Sequence, residues 1–429
     1  MLIKIINTVG TKVLSLIFNF STAIIISQYL GDVGKGKQSL LLMTIAFILI
    51  ISNIVSGKTI VYLTPKYSFS KLILPSYLWS ILVGVIAIIG LSIFNASLDA
   101  SIIVHVGMLS VFASLNAINV SILIGKEKIK TANYINLLQP ILVAITLFIS
   151  YVILNEKTIY PYILSLYISY GGCWIIGIIA LWKEYAKTHF YGLKEYNPVV
   201  NSLFKYGFLN QCGHFVQFIN LRLSFYLLEI YTDIGKVGVF SNAVSLSETI
   251  WVISNSIALV QYAKISNTND GKYAQSLTLR LIKICFVLSF FLILALICLP
   301  ASFFTFVFGA EFQEVSPILR LLAPGVLCYS VFLIVGHFFS GIGKYQINLY
   351  ASITGLIFTV LLGFILVPKI SIYGAAITSS ASYIATAIFI SIIFLRHSHF
   401  KISDLLLTKK EIKNTYNDFR AYLHQTFKK

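Results

Sequence analysis

Long apolar runs separated by short polar segments make up most of the chain. Twelve of these runs have about 20 residues or more, which is enough for a helix to cross the roughly 30 Å hydrocarbon core of a bilayer. The runs lie at residues 11–30, 38–63, 72–94, 101–124, 133–154, 159–182, 203–229, 237–263, 279–300, 317–340, 345–367 and 373–395. This pattern predicts an all-α integral membrane protein with twelve transmembrane helices.

The second six runs repeat features of the first six. Matching positions are Asp32 and Asp233, Asn19 and Asn220, Asn53 and Asn255, and Gly125-Lys126 and Gly343-Lys344. Because six is an even number, both halves enter the membrane in the same direction, and the axis that relates them runs along the membrane normal. We therefore predict two six-helix lobes with pseudo-twofold symmetry. The first comprises residues 1–195 and ends in a cytoplasmic linker, and the second comprises residues 196–396.

The composition agrees with a membrane protein. Of the 429 residues, 58% are hydrophobic and 11% are charged, against roughly 45 to 50% and 25% in soluble domains. If the N-terminus is cytoplasmic, 24 of the 32 Lys and Arg residues lie on the inner side and only six on the outer side. The excess of positive charge inside predicts that both termini are cytoplasmic. Basic loops beside anionic lipid explain the net charge of +17 without a nucleic acid partner.

Two features predict contacts with the membrane interface. The basic segment 397–429 carries apolar residues at helical spacing, which favours an amphipathic helix on the inner leaflet, although a solvated basic tail fits the same residues. The tryptophans lie mostly near the ends of the predicted spans, where they typically act as interfacial anchors. They are Trp79, Trp174, Trp182 and Trp251.

Charged side chains inside the predicted spans are the first candidates for a functional site. An ionised group near the bilayer centre costs roughly 2.5 to 3.5 kcal/mol, so such groups usually line a polar cavity or pair with each other. Arg222 and Glu248 lie at similar depth on consecutive spans, and a structural ion pair is an alternative to a functional role. Lys58 either faces a cavity or extends to the interface. His214 either titrates or forms an interhelical hydrogen bond.

Uncharged polar residues also fall within the spans. Amide side chains suit either a sugar path or hydrogen bonds between helices, and both readings stay open. These residues are Asn19, Asn53, Gln217, Asn220 and Asn255. The five cysteines lie inside apolar runs, and no CxxC or HxxxH spacing occurs, so no metal site is predicted.

Four motifs, in this order, resemble those of a known family. They are Tyr29-Leu30-Gly31-Asp32-Val33-Gly34-Lys35-Gly36, Lys205-Tyr206-Gly207, Gly341-Ile342-Gly343-Lys344, and the segment from Val367 to Ala376. The chain is similar to bacterial O-antigen and polysaccharide repeat-unit flippases of the multidrug/oligosaccharidyl-lipid/polysaccharide (MOP) exporter superfamily. This resemblance implies a transporter that moves an undecaprenyl-diphosphate-linked oligosaccharide from the cytoplasmic to the periplasmic leaflet of the inner membrane. It also implies a polysaccharide polymerase and chain-length machinery as partners, and no cofactor.

The candidate residues suit the substrate that the resemblance implies. A guanidinium at Arg222 can form two hydrogen bonds to a diphosphate, and Lys58 adds a point charge. The five amide residues named above would then contact sugar hydroxyls, while Glu248 and His214 are candidates for proton or sodium coupling. The lipid II branch of the superfamily carries arginines in its first helix, whereas residues 15–28 carry no charge, which argues against lipid II as the substrate.

Two alternative functions remain at this point. A small-molecule cation antiporter of the same superfamily would favour carboxylates in the cavity, yet the predicted spans contain at least as many cations as acids. A membrane-embedded O-antigen polymerase typically needs a large periplasmic loop, and the longest outer connection here, residues 300–316, is short. No catalytic arrangement of side chains is evident outside the spans. The sequence therefore favours transport over enzymatic activity.

Overall fold

The computed structural model describes residues 2–94, 100–189, 191–268 and 270–398, together with residues 400 and 404. Within these ranges the secondary structure is helical and no β-strand occurs. The predicted amphipathic helix of the tail lies outside the described residues and stays a prediction.

The first half of the chain forms helices that follow its apolar runs. They are α1 (Leu2–Ser52), α2 (Lys58–Leu63), α3 (Phe69–Phe94), α4 (Ala100–Gly125), α5 (Ile129–Leu147), α6 (Tyr160–Ala180) and the short α7 (Trp182–Tyr185). A 3-10 turn, Asn53–Val55, lies between α1 and α2, and a π-helical segment, Phe148–Ile153, prolongs α5.

The second half forms a similar series. It contains α8 (Leu193–Tyr231), α9 (Ile234–Glu248), α10 (Trp251–Ser266), α11 (Gly271–Ile297), α12 (Ala301–Phe308), α13 (Val315–Gly341) and α14 (Tyr345–Ser398). A 3-10 turn, Ala310–Glu314, separates α12 from α13. The apolar patch formed by residues 303–308 therefore belongs to a separate short helix.

Two very long helices contain residues with non-helical backbone angles. In α1 the break is at Gly31, with φ of 67° and ψ of −166°. In α14 it is at Ile370 and Ser371, where Ser371 has φ of 50° and ψ of −128°. A positive φ costs glycine little. Both breaks fall in the short polar gaps that the hydropathy pattern predicts between spans.

The described residues contain eight helical stretches that are long and apolar enough to cross a membrane. The count rises to nine if α9 and α10 form one span, since their axes meet at 41°. The protein is therefore a multi-pass, all-helical membrane protein.

The second span of each half is broken. The pattern predicts one continuous helix over 237–263, but α9 ends at Glu248 and α10 begins at Trp251. The predicted helix over 38–63 is likewise interrupted between Ser52 and Lys58, where Gly57 has φ of 55°. Hydropathy did not predict these breaks, because an average over about 20 residues stays apolar across a polar interruption as short as Ser52-Asn53 or Glu248-Thr249.

The apolar core is divided between the two halves of the chain. Among the described residues, one large cluster of buried side chains extends from Phe225 to Phe394 and includes Leu40 as its one buried member from the first half. The other two clusters consist mainly of residues 26–181, but one of them contains Val199 and Leu203 from the start of α8. The long helix α8 thus packs on the first half near its N-terminus and on the second half near its C-terminus.

The two halves make close backbone contacts through glycines. A Cβ atom at Gly36 would collide with the backbone oxygen of Ile234, and one at Gly238 would collide with the backbone oxygen of Asp32. The repeated Asp-x-Gly-Lys turns therefore pack against each other, and we call this contact the Gly36–Gly238 contact. A third glycine, Gly207 of α8, lies equally close to the backbone oxygen of Ile54.

Candidate functional site

Arg222 and Glu248 form a bidentate ion pair at the centre of the candidate site. Arg222 Nη1 donates to Glu248 Oε1 and Nη2 donates to Oε2, each at 2.8 Å. The two side chains are 25% and 20% exposed, so the pair is open to cavities on its flanks. Parallel hydrogen bonds of this kind are the strongest that a guanidinium makes with a carboxylate. The sequence left open whether these two residues pair, and in the structure they do.

The break between α9 and α10 positions the carboxylate. Glu248 is the last residue of α9, and Trp251 begins α10 after two intervening residues. The indole Nε1 of Trp251 donates to the backbone oxygen of Val326 at 3.0 Å, which fixes the start of α10 on α13. Trp251 is only 7% exposed, so the prediction that it anchors the membrane interface is wrong.

An aromatic cluster lies on α10, α13 and α14 beside this break. The ring centroid of Trp251 is 4.4 Å from that of Tyr329 and 5.4 Å from that of Tyr383. Gln217 Nε2 donates to the Tyr329 hydroxyl at 3.1 Å, which links the cluster to α8. The sequence did not point to these tyrosines, because aromatic residues are frequent throughout the spans.

The Lys58 cavity is a pair of adjoining spaces on one side of the ion pair. The larger has a volume of about 670 Å³ and the smaller about 430 Å³. Both are lined by Lys58, His214 and Gln217. Asn255 and His337 line the larger space, and Asn53, Gln211 and Arg222 line the smaller. The fold therefore brings six of the predicted site residues to one cavity: Asn53, Lys58, His214, Gln217, Arg222 and Asn255.

The Lys35 cavity lies on the other side of the pair. Its volume is about 500 Å³. Its polar lining residues are Asn19, Thr22, Lys35, Gln38, Gln139, Tyr162, Tyr170, Asn242, Ser245, Glu248 and Thr249. Arg222 thus lines the Lys58 cavity and Glu248 lines the Lys35 cavity, so the ion pair lies between the two.

Asn220 does not line either cavity. It is 2% exposed and its Oδ1 accepts hydrogen bonds from Thr359 Oγ1 at 2.8 Å and Ser382 Oγ at 2.5 Å. Neither the Lys58 cavity nor the Lys35 cavity includes it among its lining residues. The side chain joins α8 to α14, and we leave it out of the proposed binding site.

Lys35 is the residue that sequence reasoning misjudged most. The hydropathy pattern places it in an exposed turn between spans, but its side chain is buried at 4% exposure. Its only signal in the sequence is the polar series Lys35, Gln38 and Ser39, which puts three polar side chains on one helical face. The neighbouring Lys37 is exposed as expected.

The titratable side chains do not form a metal site in the part of the chain that the structure describes. There, no group of three or more His, Cys, Asp or Glu residues could hold a metal ion. The site therefore consists of one ion pair, two lysines in separate cavities and a set of amide and hydroxyl side chains. Such a site suits reversible binding of a charged, hydroxyl-rich solute.

A multi-pass helical bundle with polar cavities on both sides of an intramembrane ion pair is typical of a membrane transporter. No protein-family model matches the sequence. A curated relative is the capsular polysaccharide biosynthesis protein CapF of Staphylococcus aureus, which is 24% identical over 370 residues that cover 82% of this chain and 88% of CapF. Another is the uncharacterized membrane protein MJ1068 of Methanocaldococcus jannaschii, 24% identical over 196 residues, which cover 44% of this chain and 38% of that protein.

Solved structures with the same fold belong to MOP superfamily transporters. The lipid II flippase MurJ in an inward closed conformation superimposes with a TM-score of 0.75 at 18% identity, covering 99% of this chain and 93% of MurJ. An inward-facing multidrug resistance MATE transporter gives a TM-score of 0.69 at 15% identity, and the match covers 90% of this chain and 94% of the transporter. A third structure is a MOP superfamily transporter from Pyrococcus furiosus, described as having a binding pocket of reverse polarity. It gives a TM-score of 0.58 at 14% identity, and the match covers 94% of this chain and 95% of that transporter.

These comparisons confirm the resemblance to MOP superfamily transporters. The solved structures named above are of transporters and a flippase rather than enzymes, and this chain shares their fold.

Proposed function

We propose that this protein is a flippase for a polyprenyl-diphosphate-linked oligosaccharide, the repeat unit of a surface polysaccharide such as O-antigen or capsule. It carries this substrate from the cytoplasmic to the periplasmic leaflet of a bacterial inner membrane. The shared fold with a lipid II flippase and the similarity to a capsular polysaccharide biosynthesis protein support the proposal. A polysaccharide polymerase and chain-length machinery would use the translocated unit.

The lengths of the helices support a twelve-span topology. The stretches Gly10–Leu63 and Tyr345–Ser398 each have 54 residues, which at 1.5 Å per residue is about 80 Å of helix against roughly 30 Å of hydrocarbon. Each stretch is interrupted near its middle, at Gly31 and at Ser371. In our proposal each of these two stretches crosses the membrane twice, and α9 with α10 crosses once. The helix α8, which is not one of the eight stretches, also crosses once, as does each of the other six stretches, which gives twelve spans. The charge distribution supports two cytoplasmic termini.

The placement of Arg222 carries the proposal. Its guanidinium lines the Lys58 cavity together with Lys58, so two cations share one cavity with amide side chains. A diphosphate needs cationic hydrogen-bond donors, and the sugars need amides and aromatic rings. The polyprenyl chain stays in the lipid between the two lobes, so the protein encloses only the polar part of the substrate.

In the mechanism that we propose, Glu248 competes with the substrate for Arg222. While Glu248 is ionised, its carboxylate accepts a hydrogen bond from each of the two terminal nitrogens of the guanidinium, as in this structure. Protonation of Glu248, or sodium binding beside it, weakens the pair and frees Arg222 to bind phosphate. Rocking of residues 1–195 against 196–396 would then expose the site to the other side.

A cation antiporter is the second candidate, because the fold is shared with MATE transporters and Glu248 lines a cavity. In this structure, however, the Glu248 carboxylate is neutralised by Arg222, and Lys35 and Lys58 place further positive charge in the two cavities. Organic cations would be repelled by such a site. The charge of the cavities thus favours an anionic substrate.

Surface polysaccharide display tests the proposed function. A strain that lacks its own flippase is complemented with the wild-type chain or with Arg222→Ala, and membrane expression is matched. We expect wild type to restore long-chain polysaccharide and Arg222→Ala to fail. If the wild type does not restore display in strains that make either O-antigen or capsule, and protects the cells against organic cations instead, the antiporter function replaces ours.

A further inference from the structure

Lys35 is a buried ammonium with no carboxylate partner among the described residues. Its Nζ donates to Gln38 Oε1 at 2.7 Å, and Gln38 Nε2 donates to the Tyr162 hydroxyl at 3.3 Å. Among the described residues, no carboxylate oxygen lies within 4.0 Å of Nζ, whereas Lys71, Lys126, Arg222 and Lys236 each have such a partner. A neutral amide is thus the hydrogen-bond partner of a cation that is 4% exposed.

Such a position is unfavourable unless another group supplies negative charge. Burying an ion removes it from water, and a single hydrogen bond from an ammonium with three donors recovers only part of the lost hydration free energy. Lys35 nevertheless lines a cavity of about 500 Å³ that has room for a ligand. The missing counter-ion is therefore expected to come from that cavity.

The other lining residues suit an anion that is attached to a sugar. Amides and hydroxyls surround the space, namely Asn19, Gln38, Gln139, Asn242, Tyr162 and Tyr170. Glu248 also lines it, but its carboxylate is held by Arg222 through both oxygens. While that pair is intact, Lys35 is the unneutralised charge in the cavity.

We propose that Lys35 is a second anion-binding site, which takes the diphosphate of the lipid-linked substrate once it has passed the Arg222–Glu248 pair. This inference rests on the proposed function and adds a step to it. The first site contains Lys58 and Arg222 on one side of the pair, and the second contains Lys35 on the other. Each cavity thus presents a cation to the diphosphate, and the ion pair separates the two sites.

The experiment measures protection of a cavity cysteine. Asn19→Cys is introduced into the full-length chain in nanodiscs, and its reaction with an anionic thiol reagent is followed by peptide mass spectrometry. We expect inorganic pyrophosphate and undecaprenyl diphosphate to slow this labelling at least fivefold. Lys35→Gln should abolish the protection, Lys35→Arg should retain it, and the exposed matched control Lys37→Gln should behave as wild type.

Three results would overturn the inference. The first is protection that persists in Lys35→Gln. The second is the absence of protection by either ligand in the wild-type background. The third is equal protection by phosphatidylglycerol at the same mole fraction, which would assign the site to ordinary lipid headgroups instead of the transported substrate.

A parallel measurement separates this inference from the proposed function. Leu349→Cys reports on the Lys58 cavity, and its protection by the same ligands tests the first site alone. If residue 349 is protected and residue 19 is not, the second site is refuted while the flippase proposal stands. If residue 349 is not protected by either ligand, the proposed function itself fails.

Discussion

Arg222 and Glu248 are joined by two hydrogen bonds of 2.8 Å, yet they line different cavities. A pair that served only to neutralise two charges could be sealed within the protein. Here each partner remains open to a space large enough for a ligand. The pair thus separates the two cavities. It can break when a ligand binds Arg222 or when a proton or cation binds Glu248.

The first prediction concerns the guanidinium. Hydrogen bonds to charged groups contribute about 1.5 to 3 kcal/mol each, and about 1.4 kcal/mol corresponds to a factor of ten in affinity. Arg222→Ala should therefore lower translocation at least tenfold in reconstituted vesicles. Arg222→Lys should restore part of the activity, because lysine returns the positive charge but cannot make the two parallel hydrogen bonds of a guanidinium. The matched control is Arg320→Ala, since Arg320 is exposed. Equal activity of Arg222→Ala and Arg320→Ala would contradict the proposed role.

The second prediction decides between the two interpretations of Lys58. Its side chain is exposed and lines both parts of the Lys58 cavity. Lys58→Ala should weaken pyrophosphate binding about tenfold, as expected for the loss of one charge-assisted hydrogen bond. Lys128→Ala removes another exposed lysine, which lies just before α5, and should leave binding unchanged. If the two variants bind alike, Lys58 serves the interface and not the substrate.

The third prediction uses the Gly36–Gly238 contact. A methyl group at Gly36 would overlap the backbone oxygen of Ile234, and backbone cannot rotate away as a side chain can. Gly36→Ala should hold this end of the molecule open, increase thiol labelling of Asn19→Cys, and stop transport. Gly90→Ala is the control, because a Cβ there meets nothing within 4 Å. Unchanged labelling together with normal transport would show that this contact does not need to close.

The fourth prediction contrasts two asparagines. Asn220→Ala removes the acceptor for Thr359 and Ser382, and an interhelical hydrogen bond in a membrane protein contributes about 0.6 kcal/mol on average. The variant should lower the unfolding temperature of the purified protein and leave ligand affinity intact. Asn255 is exposed and lines the Lys58 cavity, so Asn255→Ala should lower the affinity for pyrophosphate and leave the unfolding temperature unchanged. Thermal unfolding and pyrophosphate titration of both variants measure this, and the same effect in both would refute the assignment.

Much of the architecture was predicted from local sequence. The breaks at Gly31 and Ser371 fall in polar gaps of the hydropathy pattern, and the depth of Arg222 and Glu248 on consecutive spans predicted that they could meet. These features depend on the number of apolar residues in a row, which the sequence states directly. The assignment of six helices to each of two lobes stays a prediction.

The tertiary structure decided which way the polar residues face. The sequence treats Asn220 and Asn255 alike, but the first binds side chains 139 and 162 positions away and the second lines a cavity. Lys35 and Lys37 lie in the same polar turn, and only Lys35 is buried. Hydropathy gives the depth of a residue in a span, whereas its direction around the helix axis depends on which helices pack against it. Contacts between distant segments set that direction, so only the fold showed that Lys35 faces a cavity.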